Sequence, residues 1–307
     1  MNNQNKYVIY NVSDALSSGA VEYLGSKRKG WFTYKFKGKD TRILFKQGRS
    51  GSGENWAEKV AAELARLLGL PHAIYELAYL SKDDPCVISP NFLEAGEELK
   101  LGNELIEGFD KDQRFKNTKH TLDAILNAMQ QNSVQLPQTL KQNPAITKAN
   151  DLIIGYLCLD AWIGNTDRHA ENWGIIIKNN KINVLAPTFD HASSLGRNEP
   201  DARRTERLTT KDTGRNVQKY VHGAMVPVYD QGGHQLNTIS LIKECRKYDP
   251  HVTDHWIEKI IQITNEDQKI KEVLSRMPEE FISEPAKAFA MAILQESTGQ
   301  LRRLQND

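Results

Sequence analysis

The chain has 307 residues and a formal net charge of +1, with 39% hydrophobic and 26% charged residues. That composition describes an ordinary folded globule with one large core or two smaller ones and excludes a disordered chain. No apolar run approaches the roughly 20 residues of a membrane helix, the start "MNNQNKYVIYNV" carries no secretion signal, and three scattered cysteines (Cys86, Cys158, Cys245) suit neither a disulfide framework nor a zinc knuckle, so a cytoplasmic protein away from membranes is expected.

From Gly30 to Phe45 the text reads "GWFTYKFKGKDTRILF". Aromatics alternate with polar residues, a turn-like "KGKD" follows, and a β-branched run closes it, which predicts a β-hairpin. Basic residues crowd the stretch from Lys27 to Arg49, with Asp40 alone against them. The glycine and serine loop "KQGRSGSGEN" leads into "NWAEKVAAELARLLGLP", a helix with marked ends. Asn55 is placed to cap it, Glu58 stands three residues on as in a capping box, and Gly69 with Pro71 stops it. Trp56, Val60, Leu64 and Leu67 form its apolar stripe. Two more strands, "AIYELAYL" and "CVISPNFL", flank the turn "SKDDP", so the first part reads as a small antiparallel sheet with one helix packed on it.

The texture changes near residues 94–98. The remainder is helix-rich, with helices expected around 119–131, 145–162, 235–247, 253–264, 267–276 and 284–304. A single hairpin interrupts them: "WGIII", the turn "KNNK", then "INVLA". An α+β, two-lobed chain is expected, with a β-rich N-terminal lobe over residues 1–95 and a helical C-terminal lobe over 96–307. The junction is a favoured place for a ligand pocket. A second basic stretch, Arg197 to Lys219, is diluted by Glu199, Asp201, Glu206 and Asp212 and reads as readily as solvated surface.

The densest chemistry lies in "GNTDRHAENW", Gly164–Trp173, between the apolar helix "NDLIIGYLCLDAWIGN" and the strand "WGIII". Asp167 and Asn172 therefore sit in a loop pinned on both sides, as a site demands. The hairpin returns the chain to "LAPTFDHASS", which brings Asp190 to a strand end facing the same spot. Two carboxylates and an amide oxygen beside a basic, glycine-bearing strand-loop-strand are the parts of phosphoryl transfer. Asp167 would orient or deprotonate a hydroxyl, and Asn172 and Asp190 would hold Mg2+ as hard oxygen donors. Lys46, ending "RILFK", is the phosphate lysine, and "GSKRKG" (Gly25–Gly30, with Ser26, Lys27 and Lys29) is the phosphate cover. Glu58 pairs with Lys46 or completes the capping box, and Glu63 is a rival partner. His169 and His191 read as supports behind the reacting groups. Two other readings use the same residues. One is a metal-dependent phosphodiesterase or nuclease with Asp167, His169, Asp190 and His191 as ligands, and the other is a non-catalytic binding module of kinase shape.

These motifs resemble those of the HipA-like kinases. "GNTDRHAENW" is similar to that family's Gly-x-x-Asp-x-His-x-x-Asn catalytic loop, "LAPTFDHASS" to its Pro-x-x-Asp metal strand, "GSKRKGWF" to its phosphate loop, and "NWAEKVAAELARLLGL" to the helix after its ATP lysine. The resemblance runs from about Gly25 to about Gly196. It implies a bilobal protein-kinase-like fold and ATP- and Mg2+-dependent serine/threonine phosphorylation of a protein, with Asp167 catalytic, Lys46 on ATP, and Asn172 and Asp190 on Mg2+. It further implies the context of toxin–antitoxin pairs, an aminoacyl-tRNA synthetase as substrate, and autophosphorylation of a serine near the phosphate loop, for which Ser26, Ser50 and Ser52 are candidates. Direct nucleic-acid binding is not expected. Only about two dozen residues precede the glycine loop, so the chain looks like the short family members, whose extra N-terminal subdomain is missing or is a separate partner protein alongside an antitoxin. Asp190 is followed by His-Ala, and the loop histidine comes after Asp167, both unlike the eukaryotic kinase pattern.

Overall fold

The computed structural model describes residues 6–18, 21–23, 28–82, 84–110, 112, 117–140, 143–178 and 182–306. The first part comprises β1 (Ile9–Asn11), α1 (Ser13–Ser18), β2 (Glu22–Tyr23), β3 (Lys29–Phe36), β4 (Lys39–Lys46), α2 (Glu54–Leu68), β5 (Glu76–Tyr79) and β6 (Pro85–Pro90). Its strands form one six-stranded sheet in the order β1-β5-β6-β4-β3-β2. Neighbours are antiparallel apart from β1, which runs parallel to β5. In the β3–β4 hairpin Phe32, Phe36, Ile43 and Phe45 point into a core while Thr33, Lys35 and Arg42 are exposed, the alternation a half-buried sheet requires. Lys37 and Gly38 close the hairpin with φ of 49° and 84°. Two successive left-handed residues match the twist of the strands, and glycine adopts that conformation without strain.

Helix α2 follows the expected stripe: Trp56, Val60 and Leu64 are buried and Leu67 is partly so. Gly69 ends it in the left-handed conformation. Its start differs from expectation. Gly53 is the N-cap, with no side-chain capping bond. Asn55 instead accepts the Gly48 N–H at 2.9 Å and donates to the Pro85 carbonyl at 3.0 Å, fastening the preceding loop to β6. Glu58 is no capping residue either, because its carboxylate is turned into the protein, where its partners are His191 and Lys46.

The second part continues with β7 (Glu97–Leu101), α3 (Gly102–Leu105), α4 (Leu122–Gln131), α5 (Ala149–Ile163), β8 (Gly174–Lys178), β9 (Ile182–Leu185), α6 (Asp201–Thr209), α7 (Val217–His222), β10 (Met225–Tyr229), β11 (Gln235–Asn237), α8 (Thr238–Tyr248), α9 (Pro250–Asn265), α10 (Gln268–Ser275) and α11 (Glu284–Asn306). Every residue of α5 is buried, so it reads as an unbroken apolar run rather than a stripe. It packs against α8, α9 and α11, and the Trp256 indole N–H donates to the Asp151 carbonyl at 3.0 Å. The sequence anticipates one hairpin here, whereas β7 joins β8 and β9 as a third strand and β10–β11 form a separate ribbon. The charged text "EELKL" hid β7. Helices α6 and α7 were also unforeseen, because α6 buries only Arg204 and shows no apolar period. None of the described helices is long and apolar enough to cross a membrane.

The segment before β1 also ties separate elements together. The Tyr7 ring lies between the Lys59 ammonium (4.5 Å to the ring centre) and the Arg276 guanidinium (4.3 Å). The Tyr7 N–H donates to the Arg276 carbonyl at 2.8 Å. Beside it Lys259 donates to the Leu68 carbonyl at 3.2 Å. Helix α2 is thereby held against α9 and α10.

Candidate active site

Strand β4 alternates inward and outward residues, and its last residue, Lys46, emerges over α2 and the chain after β9. Its ammonium lies 3.2 Å from Asp190 Oδ1 and 3.6 Å from Glu58 Oε2, and donates to the Tyr75 hydroxyl at 3.4 Å. Burial pulls the Lys46 ammonium toward neutrality. Asp190, the Tyr75 hydroxyl and Glu58 together more than offset it, so its pKa is held well above the usual lysine value. Glu58 is buried on α2, and its Oε1 accepts the backbone N–H of His191 at 2.6 Å. One carboxylate thus reaches both the strand lysine and the residue after Asp190. Among the described residues Glu63 is paired with Lys59 and Arg66 on the other side of the helix, which leaves Glu58 as the carboxylate beside Lys46.

Asp190 sits at φ 59°, a left-handed conformation uncommon for a residue with a side chain. Tyr75 supports it by accepting the Asp190 N–H at 3.2 Å. Burial raises the Tyr75 pKa and keeps the phenol protonated. A cleft is lined by Lys29, Lys46, Glu58, Asp167, Asp190 and Ser193, among others. Lys46, Glu58, Asp167, Asp190 and Lys29 are therefore brought to one opening between the sheet and the helical part. Asn172 is not on that wall. It is buried just behind, its side-chain N–H donating to the Asp167 carbonyl at 2.6 Å.

The loop holding Asp167 and Asn172 is built on a buried ion pair. Gly164 caps α5 at φ 63° and turns the chain, a conformation glycine takes freely. Arg168, 1% exposed, then reaches back to Asp160 in the last turn of α5 with Nε–Oδ2 of 2.6 Å and Nη2–Oδ1 of 2.9 Å. Its remaining donors meet the Asn172 and Phe189 carbonyls and the Thr188 hydroxyl. Burial disfavours the guanidinium charge, yet Asp160 outweighs it and the pKa is raised. A single buried arginine thus joins the helix end, the loop and the segment after β9 that carries Asp190. In the sequence Arg168 stands out only as one member of a charged decapeptide. Asp160, lying in an otherwise apolar helix, was the signal that could have found its partner.

His169 is buried with Nε2 3.8 Å from Asp167 Oδ1, and its Nδ1 accepts the Glu171 N–H. His191 Nε2 contacts the Thr188 hydroxyl at 2.8 Å. Among the described residues no three His, Cys, Asp or Glu side chains converge as a metal cluster, so the four-ligand arrangement of the hydrolase reading is not assembled. Behind the loop, Trp173 donates to His120 Nε2 at 3.0 Å while His120 Nδ1 bonds the Pro227 carbonyl at 2.6 Å. An indole can only donate and a carbonyl can only accept, which fixes the neutral tautomer. Burial pulls the His120 pKa down to about 4.

Of the three candidate phosphoacceptor serines, Ser50 is exposed in the loop before α2, and Ser52 donates to the Arg49 carbonyl at 2.8 Å. Ser26, with Gly25 and Lys27 of the expected phosphate cover, lies outside the described residues, while Lys29 opens β3.

A family model described as the HipA-like C-terminal domain matches residues 5–284. Among solved structures, the chain is similar to the proinflammatory kinase CtkA of Helicobacter pylori, with 18% identity, 98% of each chain covered and a TM-score of 0.71. It is also similar to a chain of the Shewanella oneidensis MR-1 toxin–antitoxin complex of HipA, HipB and operator DNA, with 11% identity, 93% of this chain and 68% of that chain covered and a TM-score of 0.57. At these identities the two structures establish likeness of fold. No curated protein sequence matches the chain.

Proposed function

The chain belongs to the HipA-like C-terminal domain family and has a kinase-like fold, and from that premise we propose that it is an ATP- and Mg2+-dependent serine/threonine protein kinase. The observation that carries the reading is Lys46 held between Glu58 and Asp190 in a cleft that also exposes Asp167. The donor set fits a magnesium nucleotide. Asp190 offers a hard carboxylate in the cleft beside the fixed positive charge of Lys46, and the amide oxygen of Asn172 would have to reach the ion from just behind Asp167. Bound Mg2+ would neutralise the charge that develops on the transferring phosphoryl group.

The chain's own residues have distinct tasks in this reading. Lys46 binds the nucleotide phosphates and Glu58 aims it by holding the ammonium from the side of α2. Lys29, with Gly25, Ser26 and Lys27, covers the phosphates. Asp190 would hold the metal ion, with Asn172 as its second oxygen donor. Asp167 orients the acceptor hydroxyl and takes its proton as the oxygen attacks. His169 and His191 support these groups from behind, His169 beside Asp167 and His191 through its bonds to Glu58 and to Thr188. The N-terminal lobe, residues 1–95, supplies the lysine and the phosphate cover, and residues 96–307 supply the carboxylates and amide.

A protein is the proposed acceptor, with an aminoacyl-tRNA synthetase as the first candidate, acting in the cytoplasm. One neighbour in fold belongs to a toxin–antitoxin complex with HipB. On that ground an antitoxin or a separate N-terminal-subdomain protein is the proposed partner, and autophosphorylation at Ser26, Ser50 or Ser52 is the proposed restraint. Purified protein incubated with γ-labelled ATP and Mg2+, alone and with a cell lysate, tests the reading. Label should enter protein and vanish with Asp167→Asn. Absence of transfer from wild-type protein that demonstrably binds nucleotide would sink it and leave a binding module of kinase shape.

A further inference from the structure

A chain of hydrogen bonds runs from the start of α2 to Asp167, through two residues the proposed chemistry does not use. Glu54, the first residue of α2, is 7% exposed. Its Oε2 accepts the Arg49 backbone N–H at 3.0 Å, and its Oε1 accepts from Arg197 Nη1. Arg197 Nη2 donates to Ser193 Oγ at 2.9 Å, and Ser193 Oγ lies 3.4 Å from Asp167 Oδ2. A guanidinium only donates and a carboxylate only accepts. Ser193 must therefore accept from Arg197, which leaves its own O–H for Asp167. The direction of every link is set by chemistry.

Both ends of the chain are fixed by backbone contacts. The Gly53 N–H donates to the Arg197 carbonyl at 2.9 Å, and the Thr166 N–H donates to the Ser193 carbonyl at 3.1 Å. Arg204, itself buried, also donates to the Gly196 and Arg197 carbonyls. The Arg197 side chain is only 12% exposed, so its bonds to Glu54 and Ser193 suffer little competition from water.

We propose that Ser193 and Arg197 are positioning residues that hold the Asp167 carboxylate in its reacting orientation and couple it to the start of α2. This rests on the kinase reading for its catalytic consequence, though the coupling itself does not. Asp167 is partly exposed, with His169 Nε2 3.8 Å from its Oδ1, and Ser193 adds a hold on its Oδ2. An orientation fixed by Ser193 spares the cost of selecting one during reaction. Because Glu54 also holds the Arg49 backbone, the geometry of the loop before α2 is transmitted to the proposed base.

Steady-state phosphotransfer from labelled ATP to dephosphorylated casein and to the protein itself tests the catalytic half. Ser193→Ala and Arg197→Ala should each lower kcat by about 10- to 100-fold, with KM for ATP changed by no more than about twofold. Ser193→Thr, which keeps the hydroxyl, should restore most of the rate, and Arg203→Ala, an exposed neighbour, should match wild type. Equal loss in kcat and rise in KM, or full activity in both alanine variants, would overturn the proposal. So would phosphate mapped onto Ser193, since a hydroxyl consumed as acceptor cannot hold Asp167. The second half needs no turnover. A double-mutant cycle of Ser193→Ala and Asp167→Ala on denaturant unfolding should give a coupling of about fivefold in the equilibrium constant. Additive effects reject the contact, whereas a wild-type protein without phosphotransfer but with intact coupling rejects the kinase reading alone.

Discussion

Two loops meet at the cleft and are held in opposite ways. The loop 164–173 is fastened from within: Asn165, Arg168, His169, Ala170, Asn172 and Trp173 are buried, and the Arg168–Asp160 pair sits at its centre. The loop 47–53 is fastened from outside. Arg49, Ser50 and Gly51 are exposed, and its backbone is held by the side chains of Asn55 and Glu54 and by the Arg197 carbonyl. The first arrangement suits groups that must keep one geometry, and the second a segment that must yield to an incoming ligand. The difference shows that a site can draw rigidity and compliance from one molecule by where it places its anchors.

Four measurements would break or sharpen that contrast, the largest effect first. Asp167→Asn should slow phosphotransfer by about 10²- to 10⁴-fold with nucleotide affinity retained, read by single-turnover kinetics and equilibrium binding. A comparable loss of binding would mean that the inner loop holds nucleotide rather than orienting an acceptor. Next, Arg168→Met should destabilise the fold by about 3–5 kcal/mol, because Asp160 is left charged and buried. Adding Asp160→Leu should recover most of it in denaturant titrations.

The third measurement probes the far brace of the inner loop, His120 beneath Trp173. Its folded pKa of about 4 lies below the 6.5 of an unperturbed histidine. Between those values the unfolded chain binds a proton that the folded chain refuses, so stability is complete above pH 6.5 and falls as pH drops toward 4. The loss should approach about 3 kcal/mol, and His120→Gln should flatten that limb of a stability-versus-pH curve. An unchanged slope would assign the acid sensitivity elsewhere. The smallest effect belongs to the outer loop. Asn55→Ala should cost about 1 kcal/mol and raise amide exchange at Gly48, while exchange in residues 164–173 stays as it was.

The same contrast explains what was legible in the sequence. Hairpin β3–β4, helix α2 and the hairpin β8–β9 announce themselves through period and turn residues, and the spacing of Asp167, Asn172 and Asp190 suggested a common site. The anchors were harder to see because each belongs to a different stretch of text. Asp160 is a single acid in an apolar helix, Tyr75 is one aromatic among several, and Arg197 lay in a basic run that read equally well as solvated surface. Glu58 shows the reverse error: local spacing fits a capping box, but tertiary partners 133 residues away claim its carboxylate. Strand β7 was hidden because pairing with the distant β8 makes it, and helix α6 because it buries only Arg204. The phosphate cover at Gly25–Lys27 stays an expectation, since those residues lie outside the described structure.

The Tyr7 clasp has a mechanical corollary. With the aromatic ring against both Lys59 of α2 and Arg276 after α10, the chain has a seam made of different residues from the cleft where Lys46 faces Asp190. Shortening the side chain at position 7 should therefore loosen the packing of α2 on α10 while the spacing around Lys46 stays as it is.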